Sequence, residues 1–301
     1  SLVAAGVFKV MVRKKPGVII IPTGTEIVSH KDITDFSQLK SNRIIDSNSV
    51  TLAGLVREAH AEPRVLDITA DEEGAIRDVI LTAANSDADL ILINAGSSAG
   101  SKDYTAGVLA QIGEVLVHGV AMMPGKPTIL ARVNGKPVIG IPGYPVSAIL
   151  SFEQFALPLL LHLQGFTQPG NRSIKVSASR AIPSKLGTEE FVRVNIGKVR
   201  EQCIATPLSR SAGSITTLTR AEGIVRIPPS SEGIAQDEEI EAELLVEEED
   251  LKNTIVVIGS HDIAIDVIAD EVRMKTGRNI RISSGNVGSL GGVIAIKKGI
   301  C

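Results

Sequence analysis

Residues 89–105 read DLILINAGSSAGSKDYT, and this stretch decides the fold. It begins with the apolar run Leu90–Ile93, which is typical of a strand buried on both faces in a parallel sheet covered by helices. Glycines and serines follow at once, where backbone N–H groups and hydroxyls can bind an anion. Asp103 comes three residues after Gly100 and can hold a divalent metal or a hydroxyl of the same ligand. A plain turn between strand and helix is the alternative.

The same succession of strand, turn and helix recurs along the chain. Val18–Ile21 runs into PTGTE (22–26), and a strand over 63–68 runs into Thr69-Ala70-Asp71. Such alternation predicts an α/β fold in which a mostly parallel sheet is covered by helices on both faces. Ligands bind such sheets beyond the carboxyl ends of the strands, so these turns should cluster at one edge. We predict helices over about 49–60, 72–84 and 104–112, a further helix that begins within 141–148 and runs to about 163 with a kink at Pro158, and a hairpin at Asn134-Gly135.

The pattern changes along the chain, which predicts several domains. Residues 173–249 contain short alternating strands without helical periodicity, as in a small β barrel or sandwich. Residues 254–301 return to α/β character, but about 48 residues cannot cover a parallel sheet alone, so we expect the start of a further domain. Residues 1–16, in which 8–13 alternate apolar and polar, should be a linking strand from a preceding domain. The α/β domain itself should span 17–168.

Composition narrows the class of protein. The chain has 301 residues, 44% of them hydrophobic, and a net charge of -3, which gives no reason to expect nucleic acid as a partner. Aromatic residues make up only 3%, so the core should be aliphatic. Cys203 and Cys301 lack a metal-ligand spacing, and reduced thiols in the cytoplasm are expected. We find no signal peptide and no apolar run long enough to span a bilayer, so no membrane is expected.

Five motifs in order carry a resemblance to a known family. They are PTGTE (22–26), DSNS (46–49), AGSSAGSKDYT (95–105), GEVLVHGVAMMPGKPT (113–128) and IPGYPVSA (141–148). The chain resembles molybdopterin molybdenumtransferase and gephyrin-type proteins. The resemblance implies a three-layer molybdopterin-binding domain with a mostly parallel sheet, then a β-barrel domain, and a homodimer for the full-length protein. The segment 254–301 is similar to the start of a periplasmic-binding-protein-like module.

This resemblance also implies an activity and a set of site residues. The enzyme would insert molybdenum from molybdate into adenylylated molybdopterin and release AMP, with Mg²⁺. Glu26, Asp71, Asp103 and Lys126 would be catalytic. The three carboxylates would also hold the metal, because carboxylates bind this hard cation, and Lys126 would offer positive charge to the oxyanion. Substrate-binding positions would be Thr23, Gly24, Asp46, Asn48, Gly96, Ser97, Ser98, Gly100, His118, Pro124, Gly125, Pro142, Gly143, Pro145, Ser147, Arg193 and Ser214.

The chain departs from the family at several of these motifs. His118 and Met123 occupy positions where the family often has lysines, and Tyr144 replaces the asparagine of a PGNP motif. Fewer cations predict weaker binding of molybdate or phosphate, and tungstate is the alternative oxyanion. Two other functions stay open. One is the related molybdopterin adenylyltransferase, and the other is a module that binds molybdopterin or the oxyanion without turnover.

Overall fold

A computed structural model describes residues 2–33, 35, 37, 39, 42–94, 104–167, 170, 172–213, 215–260, 262–276 and 280–301. Contacts divide the chain into two compact units. The first contains residues 1–120 and 125–169, and the second contains residues 121–124 and 170–301. The second unit therefore includes four residues from within the sequence of the first.

The first unit is built on a six-stranded sheet. In spatial order its strands are β4 (Glu62–Val65), β1 (Gly17–Pro22), β5 (Leu90–Asn94), β9 (Lys136–Ile141), β8 (Ile129–Val133) and β6 (Glu114–His118). The first four strands are parallel, and β8 and β6 are antiparallel to their neighbours. A small parallel pair, β2 (Ile27–Val28) and β3 (Ile44–Ile45), stands apart from this sheet. The predicted mostly parallel sheet is confirmed.

Helices cover both faces of the sheet, which makes the first unit three-layered. They are α1 (Asn48–Glu58), α2 (Glu73–Ala84), α3 (Tyr104–Ile112), α4 (Pro145–Ser151) and α5 (Leu157–Gln164). Leu90 and Leu92 of β5 pack with α1, α4 and α5, whereas Ile91 and Ile93 pack with α2 and α3. Successive residues of a strand point to opposite faces, so an unbroken apolar run fills two cores.

The helical stretch from Pro145 to Gln164 is interrupted by a π-helical turn at Phe152–Ala156. The irregular turn lies just before Pro158, where the sequence predicted a kink. By length and composition alone these 20 residues, which contain an 18-residue window with a mean hydropathy of 1.5, could cross a membrane. The sequence expectation that no run is so long was therefore wrong. Phe152, Ala156 and Leu160 are nonetheless buried in the core of the first unit, and buried helices of globular domains reach the same hydropathy.

The second unit contains a closed barrel of five strands. These are β10 (Ser173–Ala178), β12 (Glu189–Val199), β13 (Gln202–Pro207), β14 (Gly223–Ile227) and β16 (Glu239–Leu244), and the pairing of β12 with β13 closes the barrel. Strand β7 (Met122–Met123) adds to the free edge of β12. A short pair, β11 (Ile182–Pro183) with β15 (Gly233–Ile234), and helix α6 (Thr216–Arg220) complete it. The predicted small barrel is confirmed.

Residues 254–301 form a β-α-β-α segment that packs on the barrel. It consists of β17 (Thr254–Gly259), α7 (Ile263–Thr276), β18 (Arg281–Asn286) and α8 (Gly288–Lys298), with β17 and β18 parallel. Val256, Ile258 and Ala295 form a small core with Ile204 of the barrel. Burial of these apolar side chains is what joins the segment to the barrel.

Residues 8–13 belong to no strand, so the predicted linking strand was wrong at that point. Their apolar side chains are exposed, and Met11 is fully so. Alternation predicts a strand only where one face can be buried and the backbone can pair, and the described part of the structure offers these residues neither.

Candidate functional site

Asn94 is the centre of the polar residues at the carboxyl edge of the parallel sheet. It is the last residue of β5 and is buried. Its backbone carbonyl accepts hydrogen bonds from the N–H of Thr23 (3.0 Å) and from the Thr23 hydroxyl (3.3 Å). Its side-chain Oδ1 accepts a hydrogen bond from Nδ2 of Asn48 at 3.2 Å. Asn94 therefore joins the turn after β1 to the start of α1.

Asn48 extends this link to a third strand end. Its Nδ2 also donates to the backbone carbonyl of Gly143 at 2.8 Å, in the loop between β9 and α4. Asp46 lies two residues before, and its Oδ1 accepts from the N–H of Ser49 at 3.0 Å, which caps the helix. Asp46 and Asn48 are both buried. The structure thus brings the predicted residues Thr23, Asn48 and Gly143 together.

Two of the three predicted catalytic carboxylates follow β1 and β4. Thr23 forms a parallel bridge with Thr69, and the N–H of Gly24 donates to the Thr69 carbonyl at 3.2 Å, so the two turns are joined. Gly24 has φ +148°, and a Cβ there would lie 2.9 Å from Oε2 of Glu26. This turn therefore favours glycine. Glu26 and Asp71, which follow these joined residues, are both half-buried.

The proposed Mg²⁺ ligands fit this ion in chemistry, since it prefers carboxylate oxygens. Within the described ranges, however, no group of three or more His, Cys, Asp or Glu side chains could hold a metal ion. The third predicted ligand, Asp103, lies outside the described residues, as do the predicted anion-binding residues Gly96, Ser97, Ser98 and Gly100. The metal site stays a prediction.

The loop from His118 to Thr128 carries the predicted cations. The Val120 N–H donates to the Lys126 carbonyl at 2.9 Å, and the Thr128 hydroxyl donates to the carbonyl of Gly125 at 2.7 Å. The Thr128 hydroxyl also lies 2.7 Å from the Ser151 hydroxyl, and both are buried. The His118 and Lys126 side chains are exposed. The buried hydroxyls of Thr128 and Ser151 therefore anchor one end of this loop, whereas its charged side chains are exposed to solvent.

The loop after β9 supplies the remaining predicted residues of the first unit. Pro142 and Ser147 are buried, and Gly143 is half-buried with its carbonyl held by Asn48. Pro145 is the first residue of α4, a position that suits its fixed φ and missing N–H. These residues lie together at the carboxyl end of β9.

Arg193 lies in the second unit, on β12, and is buried. Its Nη2 donates to the carbonyl of Ser209 at 2.8 Å, whereas its Nε has no hydrogen-bond partner in the part of the chain that is described. Burial lowers the pKa of the Arg193 guanidinium, and the Glu190 carboxylate partly opposes this. Arg193 and the predicted Pro124 line one cavity of about 310 Å³. The predicted Ser214 lies outside the described residues.

Sequence reasoning missed Asn94 and the partners of Arg193. Asn94 directly follows the apolar run of β5, so its place at the strand end was a usable signal. Glu190 and Arg210 also line the cavity of Arg193, and they form an ion pair of 3.0 Å. Nothing in the spacing of these residues indicates the pair, because it depends on how the barrel closes.

Two protein families match the chain in succession. The family described as "Probable molybdopterin binding domain" matches residues 19–162, and the one described as "MoeA C-terminal region (domain IV)" matches residues 175–245. The first match covers the sheet with its edge of polar residues, and the second covers the barrel. The fold and the site therefore define a molybdopterin-binding α/β domain followed by a MoeA-type barrel.

Individual relatives agree with these matches. A protein of Methanocaldococcus jannaschii named for molybdopterin biosynthesis is 33% identical over 75% of this chain and 54% of its own length. Molybdopterin molybdenumtransferase 2 of Mycobacterium tuberculosis is 36% identical over 63% of this chain and 47% of its own. A crystal structure of the molybdopterin biosynthesis MoeA protein of Pyrococcus horikoshii has a TM-score of 0.66 at 33% identity, and the match covers 81% of this chain and 57% of that one.

Residues 19–162 belong to the family of molybdopterin-binding domains and residues 175–245 to the family of MoeA C-terminal regions, and relatives named molybdopterin molybdenumtransferase confirm the resemblance that the five motifs indicated. The chain spans about half the length of the relatives that it matches.

Proposed function

We propose that this protein inserts molybdenum from molybdate into adenylylated molybdopterin and releases AMP. The observation that carries the proposal is the succession of a molybdopterin-binding domain and a MoeA C-terminal region in one chain. Relatives that are 33–36% identical are named molybdopterin molybdenumtransferase. The barrel favours this activity over the adenylyltransferase, which shares the α/β domain.

The residues of the first unit would bind and orient the substrate. Thr23, Asn48 and Asn94 fix the strand ends through buried hydrogen bonds, so the groups around them are held rigidly, as positioning for reaction requires. Glu26, Asp71 and Asp103 would hold Mg²⁺, which when bound offsets the charge of the pyrophosphate and the oxyanion. Lys126 adds positive charge from an exposed loop.

We propose that Arg193 and Ser214 of the second unit assist in binding molybdate. Arg193 supports this role because it is buried beside a cavity and keeps an unpaired Nε among the described residues. A buried donor without a partner is costly unless a ligand satisfies it.

AMP release from adenylyl-molybdopterin by the full-length protein tests the activity, with Mg²⁺ and with molybdate, tungstate or no oxyanion. We expect release that depends on an oxyanion, and the better oxyanion identifies the substrate. Asp103→Ala should abolish Mg²⁺-dependent release, whereas the matched control Asp78→Ala, at an exposed position of α2, should keep it. Full activity of Asp103→Ala would contradict the site assignment.

Binding of substrate without AMP release would show the non-catalytic module instead. Met123 and His118 replace cations of the family, and this favours weak oxyanion binding. Met123 is 41% exposed, so a lysine fits there without burying its charge. Met123→Lys should therefore tighten molybdate binding, and an unchanged affinity would show that the lost charge has no effect at this position.

We further propose a homodimer and a cytoplasmic location for the full-length protein. The support is the family resemblance together with the free thiols of Cys203 and Cys301, since reducing compartments keep thiols unpaired. Light scattering of the full-length protein measures the mass, and cell fractionation checks the compartment.

A further inference from the structure

A cavity of about 370 Å³ lies in the second unit, between the barrel and the segment 254–301. The barrel side contributes Asn195 of β12 and Arg220 of α6 to its lining, and the segment contributes Arg273 of α7 and Ser284 of β18. Its volume is within the range of small-molecule sites, roughly 300–1,000 Å³. None of the described lining residues is among the predicted site residues, so the proposed transferase activity does not account for this cavity.

Three arginines and two carboxylates line the cavity, and each carboxylate binds one arginine. Arg281 pairs with Glu222 at 3.2 Å, and Arg273 pairs with Asp270 at 3.1 Å. Arg220 is exposed, and its guanidinium forms no ion pair with a residue that the structure describes. The cavity therefore carries one positive charge that its described carboxylates do not balance.

Glu222 holds the guanidinium of Arg281 at the wall of the cavity. The Glu222 side chain is 2% exposed, whereas that of Arg281 is 31% exposed. Nη1 of Arg281 donates to Oε1 of Glu222, and the other nitrogens of this guanidinium donate to no described residue. A guanidinium carries five N–H donors in one plane, which suits the oxygens of a carboxylate or a phosphate. Arg281 is therefore oriented in advance, with further donors for an anionic group.

Aliphatic side chains also line the cavity. Leu208, Ile280 and Ile282 belong to its lining, and each is half-buried. They offer apolar contact to an organic ligand, which an inorganic oxyanion has no apolar surface to use. Cationic groups beside aliphatic side chains therefore fit a small molecule that has an anionic head and an aliphatic body.

We propose that this cavity binds a small organic anion, whose carboxylate or phosphate group contacts Arg220 and Arg281 and whose aliphatic part packs on the aliphatic lining. Arg220 belongs to the barrel side and Arg281 to the segment, so one bound molecule contacts both. A ligand that binds only when two parts lie together stabilises their contact by mass action. The anion therefore strengthens the docking of the segment 254–301 on the barrel.

Calorimetry on the full chain with 4-methylpentanoate, 3-methylbutyl phosphate and inorganic phosphate tests the site. We expect one of the two organic anions to bind more tightly than inorganic phosphate, and the better one identifies the head group. Arg220→Gln should weaken binding of that probe about 10-fold, which corresponds to about 1.4 kcal/mol, because it removes the unbalanced charge. Lys297→Gln is the matched control, since it removes an exposed cation of α8 that does not line the cavity, and it should bind the probe as the wild type does.

Hydrogen exchange measures the effect on docking. Saturation of the wild type with the better probe should slow exchange of residues 254–301, and the same probe concentration should slow it less in Arg220→Gln. Arg281→Lys gives a second variant that keeps a positive charge beside Glu222 but loses the planar donors. It should weaken probe binding several-fold, whereas exchange of the segment without probe should stay close to that of the wild type.

The outcomes that overturn the proposal are distinct. Failure of the wild type to bind either organic anion would do so, as would equal affinities of Arg220→Gln and wild type. Equal binding of inorganic phosphate would show that the aliphatic side chains have no part in the site, and unchanged hydrogen exchange would contradict the effect on docking. Failure of the proposed activity is a separate result, in which no AMP is released although the organic anion binds.

Discussion

Asn48 shows how one amide can determine the shape of a site that is assembled from distant parts of the sequence. Its Nδ2 serves two acceptors, Asn94 Oδ1 and the Gly143 carbonyl, that lie 46 and 95 residues away in the sequence. Asn94 is buried and Gly143 is half-buried, so neither acceptor is fully open to water. Each would lose a partner if the amide were removed, so the effect should exceed that of a surface hydrogen bond.

Asn48→Ala should lower the free energy of unfolding by about 1–3 kcal/mol, the range for a buried hydrogen bond whose acceptors lose their partner. Urea denaturation followed by circular dichroism measures the change. Asn85→Ala is the control, because the Asn85 side chain accepts an exposed hydrogen bond from Asn134, and it should change stability by less than about 0.5 kcal/mol. Equal effects of the two substitutions would contradict the role of Asn48.

At the scale of elements, the contact of β12 with β17 depends on a glycine. A Cβ at Gly197 would lie 2.2 Å from Cγ2 of Val256 and 3.2 Å from the Thr254 carbonyl. Gly197→Ala should therefore push β17 away from the barrel, at about 1–3 kcal/mol as in other overpacked cores. Hydrogen exchange of residues 254–301 should become faster, whereas exchange within β14 and β16 should change little.

A second glycine provides the control for this experiment. Gly259 ends the same strand, and a Cβ there would meet nothing within 4 Å. Gly259→Ala should leave hydrogen exchange of the segment unchanged. If Gly197→Ala also left it unchanged, steric closeness would not be what positions β17.

Glu222 joins the same two parts of the second unit by charge. It is buried, and its carboxylate accepts from the Ile196 N–H at 3.0 Å and from Arg281 of β18 at 3.2 Å. Burial raises the pKa of Glu222 above its usual range, and the Ile196 N–H and Arg281 oppose the rise. The folded protein therefore binds the proton of the Glu222 carboxyl more tightly than the unfolded chain does. The stability that this gives the fold is present at low pH and is lost as pH rises through the pKa of folded Glu222.

Glu222→Gln should remove this pH dependence, because the amide does not titrate. The difference in unfolding free energy, wild type minus variant, should decrease as pH rises from about 4 to 7. Denaturant unfolding at several pH values measures it, with Glu241→Gln, at an exposed position of β16, as the control. A difference that stays constant with pH would show that the carboxyl of Glu222 titrates at its ordinary pKa when folded.

At the scale of the whole molecule, each unit has its own hydrophobic core. Leu92→Ala should destabilise the first unit and Ile227→Ala the second, each by about 2–5 kcal/mol, since both side chains are fully buried. Scanning calorimetry should then show two transitions, of which each substitution moves one. A single transition that both substitutions move equally would show that the units unfold together.

How much could be predicted depends on whether the signal was local. The run Leu90–Ile93 predicted a strand covered on both faces, and helix α3 was predicted with the bounds that it has. Both predictions succeeded because strand burial and helix ends depend on residues that are neighbours in the sequence. Strand β7 was not predicted, since two residues carry no periodicity and their partner β12 begins 66 residues later. The alternation in residues 8–13 is local too, yet no strand in the described part of the chain pairs with these residues.

The candidate site, like the fold, was predictable where the signal was local and not where it depends on contacts between distant residues. Thr23, Asn48 and Gly143 could be named from motifs, and the structure places them together. The hydrogen bonds that join them through Asn94 depend on contacts across tens of residues. No pattern of residue types within one motif contains that information.

Strand β7 also limits how the two units can be recombined during evolution. Met122 and Met123 stand within the sequence of the first unit, yet they pair with Glu189 and Glu190 of the barrel. A recombination event that transferred residues 170–249 alone would separate β12 from β7 and leave that edge of β12 unpaired. The two units should therefore descend as a pair, and gene fusions that add new modules should occur beyond the barrel, where the segment 254–301 lies, rather than between the two.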